Sequence, residues 1–201
     1  MKISDSIIKF KGGKVNILTK SALGKRKYLL VIMLIIVIAM ISTTTSVLAW
    51  EPLGNARWGG VNPLYYYINC ESPSSTAWSL SASTWNNAGT PAHFTSNVMF
   101  YKVYLSAYAS APGGWDGVTY VYAQGLFIQS TVSYLDTCDT DSYPLAKRMS
   151  VSGHELGHVL SLNEEISPPN VLMNPGTNIR YGVYGIYAPQ QDDINGVNYL
   201  Y

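Results

Sequence analysis

Charge is scarce in this chain of 201 residues: Asp, Glu, Lys and Arg together make up 12%, where about a quarter is usual. The charges are also segregated. Eight of the thirteen basic residues lie before residue 28, and from Trp50 onward five basic residues stand against eleven acidic ones, a net of −6. That body lacks the basic face that nucleic-acid binders carry, so nucleic acid is excluded as a partner. A surface so poor in charge must be built from Ser, Thr, Asn, Gly and Tyr, which suits a protein outside the cell. Long apolar runs are missing too: residues 28–41 (YLLVIMLIIVIAMI) give fourteen positions, short of the about 20 that span a bilayer. Cysteine occurs twice and histidine three times. There is no internal repeat and no interdomain linker.

The apolar run follows Gly24-Lys25-Arg26-Lys27 and precedes a polar stretch ending in Val47-Leu48-Ala49. A basic region, an apolar region and small residues ahead of a cut are the order of a secretory signal. Residues 1–49 are therefore expected to be a signal peptide cleaved before Trp50. The alternative is an uncleaved membrane anchor formed by residues 28–49, with its basic end inside. Either way residues 50–201 face the outside as one domain, secreted or held at the membrane, and expected to be monomeric. No prosegment intervenes, so latency through a blocking cysteine is not expected. Both cysteines, Cys70 and Cys138, fall in the exported part, and an even count there suggests a disulfide.

The exported part reads as α+β. Residues 64–68 are β-prone, and β-like runs follow around 98–105, 118–122 and 126–135, punctuated by Ala111-Pro112-Gly113-Gly114 and Gln124-Gly125. Between the first and second of these, residues 75–85 place Ala77, Trp78, Leu80, Ala82 and Trp85 at helical spacing, stopped by Asn86-Asn87-Ala88-Gly89. A second helix is expected from near Pro144 to about Leu160, and a short last one after Pro189.

Two of the three histidines sit in His154-Glu155-Leu156-Gly157-His158. Positions i and i+4 share one face of a helix, so both imidazoles can reach one metal ion, with the glutamate beside them as a base. Catalytic zinc held by two histidines needs a third protein ligand and an open position. Downstream lie Ser161, Glu164 and Glu165, then Leu172-Met173-Asn174-Pro175.

These residues resemble the metzincin metalloproteases, and within them the matrixin-like group, whose pattern is H-E-x-x-H-x-x-G-x-x-H followed by a methionine turn. His154, Glu155 and His158 match directly. Met173 resembles the turn methionine, and residues 189–201 are similar to the closing helix of matrixin catalytic domains. The resemblance covers residues 50–201 in element order and residues 147–201 position by position. It implies a twisted mixed sheet with an active-site helix, a second long helix and a short C-terminal helix. It also implies a zinc endopeptidase in which Glu155 is the general base and one Zn2+ is bound.

The chain departs from the pattern twice. Ser161 occupies the glycine slot, where positive φ costs roughly 1–2 kcal/mol, and Glu164 occupies the third-ligand slot. Two histidines and one glutamate form an accepted zinc set, with Glu165, Asp192 and Asp193 as competing donors. In the family an extended peptide or protein substrate pairs with an edge strand, here expected near residues 118–124. Asn174, Pro175 and the Tyr181, Tyr184 and Tyr187 series are expected to wall the specificity pocket. Asp136, Asp139 and Asp141 could offer oxygens to calcium, the alternative being a solvated loop. The abundant tyrosines suit sheet packing better than sugar binding. The rival functional reading is a catalytically silent extracellular module that binds a protein or peptide on the same fold; such a module has no need of a base at Glu155.

Overall fold

A computed structural model describes residues 6–11, 14–19 and 50–201. The expected signal or anchor run at 28–41 and the cleavage site after Ala49 lie outside the described residues. Two compact units divide the chain near residue 47. In the first, β1 (Ser6–Lys11) pairs antiparallel with β2 (Lys14–Thr19), from Ser6 opposite Thr19 to Lys11 opposite Lys14. Among the described residues no helix is long and apolar enough to cross a membrane.

The second unit is α+β and contains a five-stranded mixed sheet. Its strands are β3 (Leu64–Asn69), β4 (Phe94–Ser96), β5 (Val103–Tyr108), β6 (Gly117–Gln124) and β7 (Phe127–Asp136), in the order β4-β3-β5-β7-β6. The first four of that order run parallel; β6 pairs antiparallel with β7 and forms an edge. Gly125, at φ +60°, makes the tight turn between β6 and β7, as the Gln124-Gly125 breaker suggests. Side chains alternate across a strand. Leu64, Val103, Leu105, Thr131, Ser133 and Leu135 are buried on the helix-covered side. The other side carries rings that pack on one another: Tyr67, Tyr101 and Tyr104 in one group, Tyr108, Trp115, Tyr120 and Tyr134 in a second.

Helix α1 (Ser74–Asn86) buries Ala77, Trp78, Ala82 and Trp85 of the stripe its spacing predicts, but Leu80 is exposed and Ser81 is buried instead. Its two indoles are buried with their N–H groups satisfied. Trp78 donates to Ser106 O (3.0 Å) on β5, and Trp85 donates to Gly153 O (2.9 Å) on the next long helix. Helix α3 (Leu145–Val159) begins directly after Pro144 and is buried over most of its length. Ser81 and Ser152 hydroxyls meet at 2.7 Å between the two helices. A one-turn helix α2 (Thr137–Thr140) precedes α3, and α4 (Gln191–Leu200) closes the unit. Asp193 of α4 accepts from the backbone N–H groups of Gln190, Leu172 and Met173. It therefore caps its own helix and pins the methionine loop together, and burial pushes its carboxyl up to about 6 despite those donors.

Three expectations change here. The run at 98–105 is a strand only from Val103, because Asn97 Oδ1 accepts from Met99 N and Phe100 N and turns that segment outward. Cys70 and Cys138 are free thiols, not a disulfide. Cys138 lies in the first turn of α2, its backbone N–H held by Asp136 Oδ1 and its Sγ directed at Ser110 O. Nor do Asp136, Asp139 and Asp141 converge on a calcium-like site. Asp136 is buried and taken by Ser110 N, the Ser110 hydroxyl and Cys138 N, while Asp139 accepts from Gly113 N.

Candidate metal centre

Between the β6 edge and α3 lies a cleft of about 640 Å³. His154, Glu155, His158 and Glu164 all line it, together with Gly117 and Thr119 of β6. The one-turn spacing of the histidines brings their Nε2 atoms to 3.1 Å. His154 Nδ1 lies 2.9 Å from Leu172 O, and His158 Nδ1 lies 2.9 Å from Leu162 O. A carbonyl only accepts, so a proton on each Nδ1 suits these two contacts and would leave each Nε2 free to bind a metal; Arg180 Nη1, which only donates, also lies 3.2 Å from His154 Nδ1. In that tautomer two lone pairs face each other at 3.1 Å, an arrangement that a shared cation would satisfy. One ligand atom from each of His154, His158 and Glu164 lies within 4.8 Å of the others, and these three residues could hold a metal ion.

The chain reaches Glu164 by a sharp turn after α3. Ser161 sits at φ +66°, so the turn persists without glycine. Its hydroxyl lies 3.2 Å from the Tyr201 hydroxyl. The turn is braced from outside: Leu53 N donates to Ser161 O and Asn163 N donates to Glu51 O, both at 2.8 Å. Glu165, the nearest competitor for the ligand role, instead accepts from Ser167 N. Neither Asp192 nor Asp193 joins the cluster.

Met173 is buried beneath the motif. A Cβ at Gly157 would collide with its sulfur, so the glycine inside H-E-x-x-H is what admits the methionine under the histidine pair. Gly117 plays the same part on the opposite wall: a Cβ there would stand 2.7 Å from Glu155 Oε1. Glu155 is buried at 4% exposure, and burial pushes its carboxyl above the ordinary range, against the pull of His158 and of the Thr119 hydroxyl. His154 is held well below its usual value, first by burial and then by Arg180 and His158, and therefore stays neutral.

The far wall differs from expectation. Pro175 lines the cleft, but its companions are Thr177, Asn178 and Arg180. Asn174 turns its side chain to Gly176 N, and Tyr181, Tyr184 and Tyr187 lie outside the lining. A π-helical turn over Asn178–Val183 directs Arg180 inward in their place. Arg180 is 1% exposed and donates to Ser150 Oγ, Asn174 O and Thr177 Oγ1, tying that wall to α3 and to the methionine loop. Burial lowers it to about 10. Arg180, Thr119 and Gly117 carry no sequence signal: each acts on the motif only through the tertiary fold.

Compared with known proteins, the chain matches no family model and no curated protein.

Proposed function

We propose that residues 50–201 form a secreted, zinc-dependent endopeptidase of metzincin-like, matrixin-like architecture. The observation that carries this reading is the meeting of two imidazole Nε2 atoms at 3.1 Å with a carboxylate in reach. Nitrogens sharing one tetrahedral zinc through bonds of about 2.0–2.1 Å stand roughly 3.3 Å apart, so the pair fits that ion with little adjustment. His154, His158 and Glu164 would hold it, leaving one position open. A bound zinc supplies Lewis acidity toward a peptide carbonyl and makes a water acidic near neutral pH.

Glu155 is the base. Its burial and raised proton affinity suit a group that takes a proton from the attacking water and returns it to the departing amine. The β6 edge supports the choice of substrate. An edge strand presents unpaired N–H and C=O groups, and Gly117, Val118 and Thr119 run along the cleft, so an extended peptide can add as a further strand. Arg180, Thr177 and Asn178 then bound the pocket beside the cut bond.

The test is cleavage of unfolded casein by the zinc-loaded protein, with and without a chelator. Cleavage abolished by chelator and restored by zinc is expected. Stoichiometric zinc without any cleavage would favour a silent binding module on this fold.

A further inference from the structure

The base Glu155 is not held by its own helix. Thr119 on β6 donates from its hydroxyl to Glu155 Oε2 at 2.7 Å, and Thr119 Oγ1 also lies 3.2 Å from the Glu155 backbone carbonyl. A hydroxyl has one proton, and the nearer, ionisable oxygen takes it. Ser133, directly opposite Thr119 across the β6–β7 ladder, places its Oγ 2.9 Å from Thr119 Oγ1. Ser133 is fully buried. With the Thr119 proton committed to the carboxylate, Ser133 must be the donor in that pair. The result is a directed chain of hydroxyls, Ser133 to Thr119 to Glu155, in which each bond polarises the next. The other carboxylate oxygen, Oε1, occupies the space that a Cβ at Gly117 would fill. The carboxylate is thus held on one side by a hydrogen bond and received on the other by a missing side chain, both from one strand.

Resting on the proposed endopeptidase reading, we infer that Thr119, oriented by Ser133, is the positioning residue that fixes the Glu155 carboxylate for proton transfer. A glutamate side chain has more than one staggered rotamer open to it, and nothing else donates to the Glu155 oxygens among the described residues. Without the threonine hydroxyl the carboxylate loses its one fixed direction, and misplacement of a reacting group by about 1 Å costs on the order of 100-fold. The Thr119 hydroxyl is engaged with Glu155 and Ser133 and not with the three metal-binding side chains. An added substrate strand would pair with the β6 backbone, which Thr119→Val leaves in place, so substrate affinity and metal retention should be spared.

The experiment compares the full chain with Thr119→Val and Thr119→Ser. Thr119→Val should lower kcat by about 10–100-fold, leave KM within roughly twofold and retain wild-type metal stoichiometry. Thr119→Ser, which keeps the hydroxyl, should recover most of kcat. Wild-type kcat in Thr119→Val, a loss confined to KM, or no recovery with serine would overturn the inference. A second measurement is independent of turnover: urea unfolding of the metal-free wild type, Thr119→Val, Glu155→Ala (which, unlike Glu155→Gln, removes the acceptor) and the double variant. The two substitutions should be non-additive, as expected for side chains in direct contact; additive effects would remove the bond. If the wild type cleaves nothing while the cycle shows coupling, the contact stands, and the positioning role falls with the endopeptidase reading.

Discussion

Replacing Glu155 by Gln should leave the zinc in place and reduce peptide cleavage by about 10²–10⁴-fold, the range that a positioned acid–base group supplies. The side chain is nearly isosteric, lies at 4% exposure and is not one of the three metal-binding groups. The amide can still accept the Thr119 proton through its oxygen, so the fold around β6 and α3 should survive. What it cannot do is take a proton from water. Metal content and turnover measured on the same preparation separate the two effects. Undiminished cleavage would take Glu155 out of the chemistry, and loss of metal would make it a ligand instead.

The second large effect concerns the departure from three histidines. Glu164→Ala should weaken metal binding by more than the roughly 10–100-fold typical of an outer partner, whereas Glu165→Ala should leave it nearly unchanged. Glu164 lines the cleft with its oxygen in reach of both imidazoles; Glu165 is engaged with Ser167 N. Competitive titration against a chromogenic chelator reads both variants. The reverse ranking would reassign the ligand, and equal small effects would mean that two histidines suffice.

How much of this could be read from the sequence follows from the range of the forces involved. The histidine pair was legible because helix geometry alone fixes where i and i+4 point. Helix α1 was legible from its apolar spacing, and the β6–β7 hairpin from its Gly125 turn. Strand β4 was not, since Phe94-Thr95-Ser96 is too short to show alternation and exists because it pairs with β3. The segment before Val103 misled because Val98, Met99 and Phe100 are apolar yet exposed. An even cysteine count suggested a bond that the capping of α2 by Asp136 does not bring about. The pocket wall was misassigned for a similar reason: which of Arg180 and Tyr181 turns inward is decided by the π-helical turn and by Ser150 on another element. Thr119 lies 36 residues from Glu155, and no local pattern announces such a contact.

The most direct test of the metal centre is X-ray absorption at the zinc edge on the zinc-loaded protein, alongside His158→Ala. Two imidazole nitrogens and carboxylate oxygen at about 2.0–2.2 Å are expected in the wild type, with the imidazole signal reduced in the variant or the metal lost from it. A sulfur shell near about 2.3 Å, or a spectrum that His158→Ala leaves unchanged, would contradict a site built from His154, His158 and Glu164.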